Sequence, residues 1–305
     1  MDNNLFSRPK THVQWMLGNS CNYSCSYCHE MFRRGDRDKV DSELLLEVCK
    51  DITYHYDELG RDVVFEFLGG EPTLQERIPE IGQRLSNFPT NLILRTNGSA
   101  PLEWWKKVKP VIGGVIISVH REFADIDHIE KVIEFLRDSE NVYPMENIQI
   151  LFPVTHVPES FNWGVEQVKK FRKRHDLREL QLLYSDFGRG SSMYMPYKPD
   201  QWAIYQEINN IKPTPEKLSH NTSHKKENHD TLRRYQPIFT DQRCFAGIET
   251  LTIDSDGNVW RGWCRQDGKL GNIHNLPIDW PKEPTICQKS FCHNGFDRQA
   301  TKEII

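Results

Sequence analysis

The sequence predicts an α/β fold of six successive βα units followed by a small strand-and-turn module. Three observations carry this expectation. Strand-length β-type runs alternate with amphipathic helical stretches from about residue 12 to residue 211, the signature of βα units around a parallel sheet. A polar stretch poor in apolar residues follows, KPTPEKLSHNTSHKKENHD, which reads as a linker or loop. Beyond residue 241 the pattern changes to short strands and turns, with an Asp256-Gly257 turn signal inside TLTIDSDGNVWRG. Domain boundaries are therefore expected at 1–211, 212–240 and 241–305.

The expected strands are 13–18 (VQWMLG), 63–68 (VVFEFL), 91–96 (NLILRT), 114–119 (GVIISV), 148–154 (IQILFPV) and 179–185 (ELQLLYS). Between them, segments such as DSELLLEVCKDITYHYDEL, QERIPEIGQRLSNF, IDHIEKVIEFLRD and WGVEQVKKFRKRH repeat apolar residues at intervals of three and four, as amphipathic helices do. Six such units make either an open doubly wound sheet or an incomplete barrel, and periodicity does not separate the two. In both, functional groups gather at the C-terminal ends of the strands.

Composition narrows the function classes. Apolar residues make up 37% and charged residues 27%, the balance of a globular chain with a real core. A formal charge of −4 gives the whole molecule no general attraction to nucleic acid, although Lys225, Lys226, Arg233 and Arg234 in the polar stretch could meet phosphates locally. No apolar run reaches membrane-helix length and the N-terminus does not read as an export signal, so a cytoplasmic protein with no membrane partner is expected. Seven of the eight cysteines are spaced as metal ligands; Cys49, on an amphipathic helical pattern, reads as a buried core thiol.

The first cluster is Cys21-Asn-Tyr-Ser-Cys25-Ser-Tyr-Cys28, on the loop that ends the first strand. Three thiolates leave one iron of a cubane open, whereas a structural zinc site is normally closed by four ligands; completion by His29 is the zinc alternative. The second strand ends in Gly69-Gly70-Glu71, paired glycines that let backbone approach a ligand closely. CxxxCxxC after the first strand and Gly-Gly-Glu after the second resemble the radical S-adenosylmethionine (SAM) superfamily.

That resemblance implies a partial (β/α)6 TIM barrel, a SAM-binding [4Fe-4S] cluster on Cys21, Cys25 and Cys28, and reductive cleavage of SAM to a 5′-deoxyadenosyl radical that abstracts hydrogen from a substrate. It assigns Gly69, Gly70 and Glu71 to the SAM amino group, Tyr27 to the adenine, and Asn97 (in Thr96-Asn97-Gly98) and Ser118 to positions near SAM. A flavodoxin- or ferredoxin-type reductant is implied as partner.

Cys244, Cys264, Cys287 and Cys292 form a second group. The segment from Cys244 to Cys264 resembles SPASM and twitch extensions, which implies a second, auxiliary [4Fe-4S] cluster, although the spacing from Gly257 to Cys264 is wider than usual in such modules. Four thiolates on a strand-rich module would also suit zinc. Pocket-facing groups able to move a proton are Glu66, His120, Arg121, Tyr184 and Asp186, with His29 and Glu30 beside the first cluster; His120, Tyr184 and Asp186 are the candidate catalytic residues. Trp104, Trp105 and Trp260 read as core or docking aromatics, and His220, His224 and His229 as solvated. The expected substrate is a small molecule, a nucleotide or a peptide, handled by an oxidoreductase or maturase. The alternative of another class is a non-enzymatic protein stapled by zinc.

Overall fold

The computed structural model describes residues 8–28, 30–35, 40–138, 147–175, 179–182, 197–209, 239–289, 292 and 296–305. His29, Tyr184, Asp186, His220, His224, His229, Lys225, Lys226, Arg233, Arg234 and nearly all of 212–240 lie outside the described residues.

Six strands run in chain order: β1 (Lys10–Met16), β2 (Asp62–Leu68), β3 (Thr90–Thr96), β4 (Gly114–Ser118), β5 (Asn147–Val154) and β6 (Glu179–Leu182). Each pairs in parallel with the next, so the order never reverses. The helices α1 (Ser42–Glu58), α2 (Ile78–Leu85), α3 (Leu102–Val108), α4 (Ile126–Arg137), α5 (Pro158–Arg174) and α6 (Pro199–Ile208) all contribute to one apolar core. That core takes Val13 and Trp15 from β1, Phe65 and Phe67 from β2, Leu92 and Leu94 from β3, and Val115 and Ile117 from β4. These alternate positions share one sheet face. A doubly wound sheet needs a reversal of order and helices on both faces; an unreversed sheet with its helices on one face is a partial barrel.

Local chemistry explains the elements. Asp41 caps α1 by accepting from the Glu43 and Leu44 amides, and Asp125 caps α4 through the His128 amide. Cys49 is fully buried in α1, the core thiol its pattern predicts. Trp105 is fully buried and donates its indole N–H to the Ala100 carbonyl at 3.0 Å, with Trp104 edge-on to it. Both are core aromatics.

The C-terminal segment does more than append a module. It contributes β7 (Arg243–Cys244), β8 (Thr250–Ile253), β9 (Asn258–Trp260), β10 (Gly271–Asn272), β11 (Thr285–Ile286) and β12 (Lys302–Glu303). β8 pairs in parallel with β1, and β9 and β10 continue the same sheet as antiparallel strands, giving the order β10-β9-β8-β1-β2-β3-β4-β5-β6. The β8–β9 turn is built by Asp254, which accepts from the Asp256 and Asn258 amides, and by Gly257 at φ 75°. Trp260 is tied to the same hairpin, donating to Asp254 at 3.0 Å beneath the Arg265 guanidinium. A separate three-stranded sheet, β11-β7-β12, carries Cys244.

No helix among the described residues is long and apolar enough to cross a membrane. Truncating Phe65 at the centre of β2 to Ala should destabilise the protein by about 3–5 kcal/mol, measured by urea unfolding.

Candidate active site at the strand ends

The cysteine loop begins where β1 ends. Cys25 is 4% exposed, and Cys21 and Cys28 are half-buried. A turn closes on the Cys28 amide, which donates to the Cys25 carbonyl at 3.0 Å, and the Tyr23 amide points at Cys21 Sγ at 3.4 Å. Burial pushes all three thiols up, Cys25 to about 12; Cys28 raises Cys21 and Cys25 further, while the Arg33 guanidinium works against the rise at Cys28. Among the described residues no three His, Cys, Asp or Glu groups converge as on a single metal ion. Three thiols on one short loop are a donor set that fits an iron-sulfur centre, whose charge would hold them deprotonated.

The Gly-Gly-Glu segment is pressed against this loop. A Cβ on Gly69 would lie 2.5 Å from the Gly18 carbonyl oxygen, and one on Gly70 would lie 2.1 Å from that of Ser20. The Gly70 amide donates to the Gly18 carbonyl at 3.2 Å and the Glu71 amide to that of Ser20 at 2.8 Å. The glycines therefore let two backbones meet, an approach the sequence reading had given to a ligand.

Glu71 is 3% exposed, and its carboxylate accepts four hydrogen bonds. Oε1 takes the Thr73 amide at 3.0 Å and the hydroxyls of Thr73 at 2.7 Å and Thr96 at 2.6 Å. Oε2 takes the Asn97 amide at 2.7 Å. Burial raises its pKa and these donors work against the rise. With its side chain so engaged, any contact from Glu71 to SAM falls to its main chain. Asn97 in turn donates to Asn22 Oδ1 at 2.8 Å and bonds the Cys21 thiol, so the loops after β1, β2 and β3 are fastened together.

The loop after β4 closes the other side. Glu122 accepts from the Ser26 amide at 2.8 Å and hydroxyl at 2.5 Å. His120 Nδ1 lies 2.7 Å from the Tyr27 hydroxyl with the rings stacked, and Tyr23 stacks on Phe123. Burial lowers the His120 pKa to about 4, which keeps the ring neutral near pH 7. His120, expected as a proton carrier, thus supports Tyr27. Ser118 is buried at the end of β4, on the sheet face away from the helices. Arg121 is ion-paired with Glu159 and Glu30 with Arg34, both at the surface.

The sheet face away from the helices carries a polar row. Glu66 accepts from Gln14 at 2.8 Å and from Arg95 at 2.6 Å, and Gln14 accepts the indole N–H of Trp263 at 2.6 Å. Glu66 is thus an ion-paired wall residue. Gln14, Arg95, Glu122 and Trp263 escaped sequence reasoning; polar residues at the alternate positions of otherwise apolar strands were the available signal for the first two.

The four C-terminal cysteines line one cavity together with Arg261, Gln266, Lys289 and Asp297. Cys244, Cys287 and Cys292 are buried and Cys264 half-buried, and burial raises the Cys244, Cys264 and Cys292 thiols, Cys264 to about 11. Asp297, 2% exposed, accepts the Trp263 amide at 2.9 Å and the Cys264 amide at 2.7 Å. The wide spacing between Gly257 and Cys264 is where Trp263 turns onto Gln14. This cavity fits a four-thiolate centre.

A three-cysteine loop fastened to Gly-Gly-Glu and Thr-Asn-Gly loops at the C-terminal edge of a partial barrel is the architecture of a radical SAM core. Consistently, residues 15–151 match the model of the Radical SAM superfamily. It is 32% identical over 142 residues to the Probable GTP 3′,8-cyclase of Thermococcus kodakarensis, covering 44% of this chain and 45% of that protein. It is 36% identical over 106 residues to that of Pyrococcus horikoshii, covering 34% and 32%. The matched segments thus span less than half of either relative. Among solved structures, Streptococcus suis SuiB bound to precursor peptide SuiA gives a TM-score of 0.58 at 14% identity, covering 92% of this chain and 66% of that one. The structure of anSMEcpe with bound AdoMet gives 0.53 at 16%, covering 88% and 76%. At these identities the likeness is one of fold.

Two outcomes follow from the site's geometry. Gly70→Ala should lower the iron taken up by the chain to the level of a Cys21, Cys25 and Cys28 triple Ala variant while leaving the circular dichroism of the sheet intact. The His120 ring titrates near 4 in the fold against an ordinary 6.5, so its contribution to stability is complete above about pH 6.5 and is lost as pH falls toward 4. Urea midpoints of the apoprotein should therefore fall more steeply over that range than those of His120→Asn.

Proposed function

We propose that this chain is a radical SAM enzyme that acts on a small molecule of nucleotide size, with an auxiliary [4Fe-4S] cluster in its C-terminal cavity. The observation that carries the reading is the fastening of the Cys21–Cys28 loop to Gly69–Glu71 and Asn97, which presents three thiols at one edge of the sheet. Cys21, Cys25 and Cys28 would hold the SAM-binding cluster. With cluster and SAM bound there, the chemistry supplied would be a 5′-deoxyadenosyl radical, the electron coming from a flavodoxin- or ferredoxin-type reductant.

The chain's own residues do the rest. The loops after β1 to β4 orient the cysteines. Gln14, Glu66, Arg95 and Trp263 form a polar wall on the sheet face not covered by helices, where a substrate would lie. Four thiolates on the second centre leave no iron open, which suits an electron acceptor or relay and hence net oxidation of the substrate. The two cyclase relatives, whose names state a nucleotide substrate, favour that substrate class over a peptide. No acid or base is assigned among the described residues, because His120 and Glu66 are engaged as supports.

The test is metal analysis and visible absorption of protein purified and reconstituted without oxygen, with 5′-deoxyadenosine assayed after adding dithionite and SAM. A brown protein with about eight irons, falling to about four in the Cys21, Cys25 and Cys28 triple Ala variant, is expected. 5′-Deoxyadenosine should form only with the intact cysteines. Protein that takes up zinc but no iron, or that never cleaves SAM, would overturn the reading.

A further inference from the structure

We propose that Lys302 is the charge-compensating residue of the C-terminal cluster and sets its reduction potential. The inference rests on the assignment of that cluster to Cys244, Cys264, Cys287 and Cys292, and it starts from strand register. β12 pairs antiparallel with β7 so that Lys302 lies directly opposite Cys244 and Glu303 opposite Arg243. Directly opposed residues project to the same face and adjacent pairs to opposite faces. Arg243 and Glu303 form the outward pair, 3.8 Å apart and half exposed. The inward pair is a cysteine and a lysine.

The Lys302 ammonium is fixed rather than trailing into solvent. Nζ donates to the carbonyls of Asp297 at 2.5 Å and Ala300 at 2.6 Å and lies over the Phe239 ring, 5.1 Å from its centroid. Phe239 and Ala300 belong with Cys244, Cys287 and Cys292 to one small apolar cluster. A cation held in this way stands on the inward face of the pairing, directly across from Cys244.

The cavity needs such a charge. A four-thiolate [4Fe-4S] centre is net negative in both oxidation states, reduction adds another electron, and the buried Asp297 carboxylate stands beside Cys264. Uncompensated negative charge in a low-dielectric site is costly, so a nearby cation favours the reduced state. Two cations, Arg261 and Lys289, line the cavity, and Lys302 stands behind its wall opposite Cys244. Arg261 is 3.4 Å from the Asp267 carboxylate, which offsets its charge, and Lys289 is exposed, where water screens it. Lys302 is bonded to neutral carbonyls, and the carboxylate its charge also favours, Asp297, is itself part of the cavity, so the cation acts on the cavity's negative charge as a whole.

The experiment is an EPR-monitored redox titration of the reconstituted full chain, comparing wild type, Lys302→Gln and Lys302→Arg. Lys302→Gln keeps a donor for the carbonyls without the charge. It should retain the second cluster and titrate it at a more negative potential, with the potential of the Cys21–Cys28 cluster unchanged, and Lys302→Arg should restore the wild-type value. Should Lys302→Gln lose the second cluster while Lys302→Arg keeps it at the wild-type potential, the need for a cation would stand. An unmoved potential in Lys302→Gln, or loss of the cluster in both variants, would overturn the role. Wild-type protein that loses all of its iron when Cys21, Cys25 and Cys28 are replaced would overturn the auxiliary cluster and this role with it.

Discussion

The backbone at Gly69 and Gly70 meets the backbone at Gly18 and Ser20 at distances that leave no room for a side chain, and the buried Glu71 carboxylate locks that contact to the next strand. Removing a carboxylate from water is unfavourable unless its oxygens are bonded, and here four donors from two loops supply the bonds. The consequence is directional: the loops after β1, β2 and β3 hold one shape only when all three are in place. A three-cysteine loop without regular secondary structure would otherwise sample many arrangements, and only a few would present its thiols to one cluster.

The same logic extends across the sheet. Because β8 lies parallel to β1, the C-terminal segment shares the main sheet instead of hanging from it. Trp263 reaches Gln14, while the amide of the adjoining Cys264 is held by Asp297. The polar wall and the cavity lined by four cysteines are therefore joined by adjacent residues, which under the proposed function would give a short path for an electron between substrate and auxiliary cluster.

Much of the fold was legible because it is written in local periodicity. β2 was expected at 63–68 and runs Asp62–Leu68, and β5 was expected at 148–154 and runs Asn147–Val154. β1 differs more, beginning at Lys10 and ending at Met16, because pairing with β2 carries it back past the apolar run and the loop begins before Gly18. The grouping of the cysteines into two sets was legible too, since one set shares a loop and the other lines one cavity. The parallel β1–β8 pairing and the hydrogen bond from Trp263 to Gln14 were not, since the latter joins residues 249 positions apart and leaves no mark on either segment. The work of the glycines was also hidden, because a residue type states that something comes close without stating what.

Under the proposed function, the thiols of Cys21, Cys25 and Cys28, on a loop fastened through Glu71 and Asn97, would hold a cluster with one iron open to SAM. EPR spectra of the dithionite-reduced, reconstituted protein with and without SAM test this most directly. The account predicts that SAM changes the signal of one cluster and leaves that of the other unaltered, and that the change disappears in the Cys21, Cys25 and Cys28 triple Ala variant. Reduced clusters whose spectra are identical with and without SAM would contradict it.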